Sequence, residues 1–351
     1  MDDLSAIEAT HSDPEEGRWR LLEVRRLRRH YTVRRRPFGG PADTVRAVDG
    51  VDLHLDKGET LGLVGESGCG KTTLGRCIIR ADRPTSGEVL FRLPDGHTVD
   101  LARLHGRELR AIRPHMHMVF QDPHASLNPR MTVLDIVAEP LVCNRLAKGR
   151  ELVDRVARLL DTVGLDPVHM ERYPHAFSGG QRQRIGIARS LAADPDLIVC
   201  DEPVSALDVS VQAQVLNLLQ DIQRRLGVTY LFVAHDLAVV EHMADRVAVM
   251  YAGRIVETGP TAEVYARPRH PYTETLLAAV PRLEDVERGP KFVPAGEPAN
   301  AADLPPGCAF HPRCHYATPN CSQEIPALGE VTRVHSAACH YAHTWTLRGV
   351  T

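Results

Sequence analysis

The stretch Gly65-Glu-Ser-Gly-Cys-Gly-Lys-Thr72 fits the pattern G-x-x-x-x-G-K-[ST], and its surroundings supply the strand, loop and helix that the pattern needs. Thr60-Leu-Gly-Leu-Val64 before it is a short apolar run suited to a buried strand, and Thr72 to Arg80 after it reads as a helix. Glycines at 65, 68 and 70 let the backbone turn so that successive N–H groups point inward, where the positive end of the helix adds to them. Such a loop cradles nucleotide phosphates. Lys71 then reaches the β- and γ-phosphates and the Thr72 hydroxyl ligates Mg²⁺, while Glu66, Ser67, Cys69 and Thr73 complete the cradle.

A chain of 351 residues can bury a sizeable core as one large domain with an appendage, or as two domains. Its 43% hydrophobic and 25% charged residues are ordinary for a globular protein, and a net charge of -3 gives no reason to expect nucleic acid as a partner. No apolar run approaches the length of a membrane span, and Met1-Asp-Asp-Leu lacks the basic start and apolar core of a signal peptide. The expected compartment is the cytoplasm, where the 8 cysteines are not expected to form structural disulfides.

Residues 1–19 are polar and without periodicity, which suggests a disordered tail. Alternation from Arg20 to Val33 suggests an edge strand, and Val45 to Leu55 alternates again. Arginines at 25, 26, 28, 29, 34, 35 and 36 read as a solvated face, with anionic headgroups as the alternative contact. Between 129 and 193 the apolar spacing turns helical, with Leu152, Val156, Leu159, Leu160 and Val163 as one stripe; a helical subdomain is expected over about 122–193. Strand character returns at Leu197–Cys200, Thr229–Val233 and Val247–Tyr251, so the core is expected to be α/β. Proline rises beyond Gly259, marking a change of region near 262.

Leu197-Ile-Val-Cys-Asp-Glu202 is an apolar strand ending in two carboxylates. Alone it reads as a solvated strand end. Beside the phosphate loop, Asp201 can hold Mg²⁺ through its water shell, and Glu202 can orient and deprotonate an attacking water. Between these segments Ser178, Gly179 and Gly180 look like an N-cap with exposed backbone N–H groups, a second anion-binding helix start. That second site makes sense if it serves the γ-phosphate held by another subunit.

Ser178-Gly-Gly-Gln181-Arg resembles the signature motif of ABC-type ATPases, whose two nucleotide domains sandwich two ATP molecules head to tail. The resemblance implies further parts, in order. Gln121 in Val-Phe-Gln-Asp-Pro matches the Q-loop glutamine and would also reach Mg²⁺; Asp208 in Ser-Ala-Leu-Asp matches the D-loop; His235 in Val-Ala-His-Asp matches the switch histidine. Tyr31 resembles the A-loop residue that stacks on adenine, with Arg46 as the alternative contact over the base. The implied fold is an ABC nucleotide-binding domain over 20–262, with the helical subdomain and an antiparallel β subdomain, followed by an extension over 263–351.

Gln121-Asp-Pro-His-Ala-Ser-Leu-Asn-Pro-Arg130 and Glu202-Pro-Val-Ser-Ala-Leu-Asp-Val-Ser-Val-Gln-Ala-Gln214 are similar to the oligopeptide and dipeptide importer ATPases, and Arg269-His-Pro-Tyr-Thr-Glu-Thr-Leu-Leu-Ala-Ala-Val-Pro281 resembles their C-terminal extension. The wording Gly-Cys-Gly-Lys with Glu-Pro-Val-Ser-Ala resembles the F-type subunit. This implies ATP hydrolysis coupled to peptide uptake, at the cytoplasmic face of the inner membrane. The implied partners are a second, homologous ATPase subunit in a heterodimer, two transmembrane permeases and an extracellular solute-binding protein. A soluble ABC ATPase acting on DNA or ribosomes would share every nucleotide motif, as would an importer of nickel, sugars or antibiotics. A non-hydrolysing regulatory subunit is argued against by the intact Glu202 and His235.

Cys308, Cys314, Cys321 and Cys339 fall together in the proline-rich tail. Four thiolates in a core-poor segment suit a metal staple. The spacing matches neither a zinc ribbon nor a ferredoxin run, so it leaves the metal open, with His311, His315 and His340 as substitute ligands. Resemblance to importer ATPases with this tail implies a [4Fe-4S] cluster; zinc or no metal are the alternatives. Such a staple is expected to leave ATP chemistry alone.

Overall fold

The computed structural model describes residues 19–32, 44–122, 126–280, 296–297 and 299–350. The expected disordered tail lies outside these residues except for Trp19, and so do Arg34, Arg35 and Arg36. The strands are β1 (Arg20–Thr32), β2 (Thr44–Asp56), β3 (Thr60–Val64), β4 (Ser86–Arg92), β5 (Thr98–Asp100), β6 (Met116–Val119), β7 (Leu197–Asp201), β8 (Thr229–Ala234), β9 (Arg246–Tyr251), β10 (Arg254–Pro260), β11 (Gly329–Thr332) and β12 (His335–Ala337). Two compact units emerge: one gathers residues 1–55, 60–103 and 234–351, the other 56–59 and 104–233.

In the first unit β2, β1, β4 and β5 lie side by side in that order, with β1 antiparallel to β4 and β4 to β5. β1 is therefore an interior strand, not the edge strand its sequence suggests. Its exposed arginines are consistent with one solvated face, while Leu21, Leu22, Val24 and Leu27 are buried. A bulge at Arg26, whose φ is 46°, aims its N–H at Asp52 Oδ1 at 2.8 Å.

A second sheet in this unit runs β11-β12-β10-β9-β3. β3 pairs in parallel with β9, and both are almost wholly buried, which is why they read as continuous apolar runs. β10 pairs antiparallel with β9 and with β12, so the tail continues the sheet of the nucleotide region. Glu257 on β10 is fully buried. Its carboxylate accepts the backbone N–H groups of Arg269 at 2.7 Å and His270 at 2.9 Å, and lies 2.7 Å from His335 Nε2 on β12. A buried carboxylate is tolerable only with such partners.

The second unit holds the parallel strands β8-β7-β6 and three helices of the expected helical segment, Val133–Cys143, Gly149–Thr162 and Gly179–Leu191. Val156, Leu160 and Val163 of the expected stripe are buried. Thr132 starts the first helix with a capping box, exchanging hydrogen bonds with Asp135. No helix among the described residues is long and apolar enough to cross a membrane.

Candidate nucleotide site

Gly65, Gly68 and Gly70 all have positive φ, at 154°, 79° and 111°. A Cβ on Gly65 would collide with the Met250 carbonyl, and one on Gly70 with the Ala47 carbonyl, so only glycine lets the loop pass between β9 and β2. Lys71 opens the helix Lys71–Ile78, whose N-terminus no side chain caps. The buried Lys71 ammonium donates to Gly65 O at 2.6 Å and Glu66 O at 3.0 Å, and Cys69 Sγ lies 3.8 Å away. Thr72 and Thr73 follow in the first turn of that helix.

Glu66 is held by the tail. Its N–H donates to the Tyr272 hydroxyl at 2.7 Å, and its carboxylate forms a bidentate pair with Arg313, with Nη1–Oε2 at 2.7 Å and Nη2–Oε1 at 2.8 Å. Tyr251, Tyr272 and Phe310 pack around this point with ring centroids 4.6 to 5.4 Å apart. The Glu66 carboxylate holds the Arg313 guanidinium in its charged form, and burial pushes the Tyr272 hydroxyl further up, so it stays protonated. Sequence reasoning missed both contacts. The residues are 247 apart for the ion pair, and nothing local in either segment signals the other.

Tyr31 lies on β1, half-buried, with the Arg29 guanidinium 4.2 Å from its ring centre and its hydroxyl 3.4 Å from Asp82 Oδ2. Arg46 is exposed, and its N–H donates to Ala301 O at 3.0 Å. His235 is exposed at the end of β8, just before Asp236 caps the helix Leu237–Met243.

In the second unit, Asp201 ends β7 and is buried. Glu202 follows with φ 46°, strained for a residue with a side chain. Its N–H donates to Val233 O at 2.9 Å, and its Oε2 accepts from Gln121 Nε2 at 2.8 Å. The fold thus brings together two residues singled out by motif. The Gln121 amide nitrogen is engaged there, which leaves its carbonyl oxygen as a donor of the kind Mg²⁺ prefers, alongside the Asp201 carboxylate.

Ser178 caps the helix Gly179–Leu191: its Oγ accepts the Gln181 N–H at 3.3 Å, and the Gln181 side chain accepts the Ser178 N–H at 3.0 Å. Gln181 therefore spends its side chain on the cap. A Cβ on Gly180 would strike Val211 Cγ1, whereas one on Gly179 would meet Leu207 Cδ2 at an ordinary 3.5 Å. The second glycine admits the helix Val209–Leu226, and Asp208 precedes that helix, exposed.

Cys308, Cys314, Cys321 and Cys339 line one cavity of about 20 Å³ with Phe310, Trp345, His311 and His340. Burial pushes the thiols of Cys308, Cys314 and Cys339 up, to about 12 for Cys314 and about 11 for Cys339. His311 Nδ1 and His340 Nε2 lie 3.0 Å from the carbonyls of Cys308 and Glu324; His315 does not line the cavity. Four converging thiols suit a soft metal or a cluster in donor chemistry. In position they do not yet do so: the space is that of a single water, and among the described residues no group of three or more His, Cys, Asp or Glu side chains is arranged to hold a metal ion.

Residues 48–205 match the family model "ABC transporter" and residues 256–321 match "Oligopeptide/dipeptide transporter, C-terminal region". The oligopeptide transport ATP-binding protein AppF of Bacillus subtilis is 48% identical over 91% of this chain and 97% of its own length. The dipeptide transport ATP-binding protein DppF of Haemophilus influenzae is 46% identical over 92% and 96%. Among solved structures, the ATP-binding cassette MJ0796 in a dimeric, post-hydrolysis state bound to ADP and Pi covers 69% of this chain and 99% of its own, with a TM-score of 0.59 and 28% identity. With that cassette fold, both glycine-gated helix starts and a tail matched by its own family model, the chain belongs to the ABC transporter ATP-binding proteins of the oligopeptide/dipeptide transport family.

Proposed function

We propose that this chain is the ATP-hydrolysing motor subunit of a membrane importer of oligopeptides or dipeptides. Residues 20–262 form its nucleotide domain and 263–351 its importer-type extension. The observation that carries the reading is the Gln121–Glu202 hydrogen bond, because it joins the residue that senses the nucleotide to the carboxylate at the tip of β7.

Gly65 to Thr73 cradles the phosphates, Lys71 neutralises the β- and γ-oxygens, and Tyr31 stacks on adenine. Mg²⁺ would be held by Thr72, Gln121 and Asp201, and when bound it offsets the charge on the phosphate oxygens. Glu202 takes the proton of the attacking water and His235 contacts the γ-phosphate. Ser178, Gly179, Gly180, Gln181 and Asp208 serve the nucleotide of the second ATPase subunit, in a heterodimer that works on two permeases and an extracellular binding protein at the cytoplasmic face of the inner membrane. No nucleic acid is involved. Cys308, Cys314, Cys321 and Cys339 would hold a [4Fe-4S] cluster that staples the extension; the soft donor set of four thiols lining one cavity supports this, and binding would have to widen that cavity.

Reconstitution of the chain with its permeases, second ATPase and binding protein in liposomes tests the reading. Peptide should stimulate ATP hydrolysis and accumulate inside. Ser178→Arg should leave nucleotide binding at this chain's own loop intact and depress hydrolysis at the partner's. Uptake without peptide-stimulated hydrolysis would overturn the assignment.

A further inference from the structure

The phosphate loop carries a carboxylate where its ligand carries up to four negative charges. Left alone, Glu66 would repel a polyphosphate and leave the start of the loop free to swing. The tail holds it by both backbone and side chain. The Tyr272 hydroxyl takes its N–H, and Arg313, its side chain only 8% exposed, pairs with both carboxylate oxygens. Arg313 is fixed in turn by the 3-10 turn His311–Arg313, with its Nη1 3.4 Å from the Tyr251 hydroxyl and its guanidinium beside the Phe310 ring. A planar fork between two rings has little freedom to leave.

We infer that Arg313 is a positioning residue for ATP: it acts through Glu66, cancelling the carboxylate's charge and fixing the first turn of the phosphate loop, so that the C-terminal extension sets nucleotide affinity. The role differs from that of Lys71, which reaches the phosphates directly. It also makes the tail part of the ATP site, whereas a separate staple would leave that site alone. The inference rests on ATP binding at Gly65–Thr72, and it holds whichever metal, if any, the cysteines take.

A double-mutant cycle on the full chain tests it, with affinities for ATP, ADP and AMP measured by equilibrium titration. Arg313→Ala should weaken ATP roughly tenfold, ADP less and AMP least, because the uncovered charge repels each added phosphate. In the Glu66→Gln background the same substitution should change ATP affinity by less than about twofold, since no charge remains to be cancelled. Arg313→Lys, which keeps the charge and loses the fork, should fall between. That variant carries the test if Arg313→Ala does not fold. An equal loss in both backgrounds would show a merely structural residue, and no loss in the wild-type background would overturn the inference. A wild-type chain that binds no ATP would instead overturn the reading of the loop itself.

Discussion

Gln121 donates its amide N–H to the Glu202 carboxylate at 2.8 Å, and Glu202 holds that position with a left-handed backbone. The carboxylate is thereby aimed by a residue from a different strand end. Glu202→Gln should preserve ATP binding and lower turnover by at least about two orders of magnitude, because the water loses its base while the cradle remains. Gln121→Ala should lower it less. Single-turnover hydrolysis in the assembled transporter checks both, and near-normal turnover for Glu202→Gln would remove it from that role.

The two glycines of the signature segment should respond in opposite ways. Gly180→Ala pushes a methyl into Val211 and should destabilise the protein by about 1–3 kcal/mol. Gly179→Ala has room and gains helix propensity, so its stability should hold or rise by up to about 1 kcal/mol. Urea midpoints measure both, and Gly180→Ala with Val211→Ala should recover most of the loss.

How much of this was legible in the chain divides along lines of locality. The loop Gly65–Thr72 and the pair Asp201–Glu202 are contiguous, and their chemistry depends on neighbours in sequence, so both could be read directly. The partner of Glu66 could not, because an ion pair between distant segments leaves no periodic trace. Gly180 was read as freeing backbone amides, but its missing Cβ also admits Val211, and that requirement belongs to a second helix. β1 was read as an edge because its alternation of apolar and polar residues marks one exposed face, which an interior antiparallel strand also has.

Tyr31 has Arg29 over its ring and only a 3.4 Å contact from its hydroxyl. Tyr31→Ala should weaken ATP binding by about 1–3 kcal/mol, a range taken from base stacking on aromatics, and Tyr31→Phe should bind nearly as well as wild type. Unchanged affinity for the alanine variant would turn attention to other aromatics near the first strand, or to Arg46 as a cation over the base.

Acid should loosen the tail through His270. Burial holds its imidazole down at about 3, and its Nδ1 accepts the Tyr272 N–H at 3.0 Å, which a protonated ring cannot do. The unfolded chain takes up that proton near pH 6.5 while the folded one does not. Stability from this group is therefore full above about pH 6.5 and falls as pH drops toward 3, by at most about 1.4 kcal/mol per unit. Urea unfolding at pH 7 and pH 5 should show the loss. His270→Asn, which retains a capping oxygen, should flatten the slope even if it lowers the plateau.

The four tail cysteines are expected to yield iron and sulfide in near-stoichiometric amounts after anaerobic purification. Changing Cys314 to serine should loosen the extension, read as earlier thermal unfolding. Stoichiometric zinc without sulfide would replace the cluster with a single ion, and neither metal in well-folded anaerobic protein would make these residues plain buried thiols.

The buried Glu257 ties the order in which the chain is made to the order in which its core can close. β10 leaves the ribosome before Arg269 and His270, and long before His335, yet those residues supply the hydrogen bonds that let its carboxylate leave water. Until they arrive, the nucleotide region holds a charge it cannot bury, and its last strands must wait. A chain cut after residue 262 would keep every nucleotide motif and lose all three of these groups. The tail is thus a piece of the ATPase's own interior, and that interior is not sealed until His335 has been made.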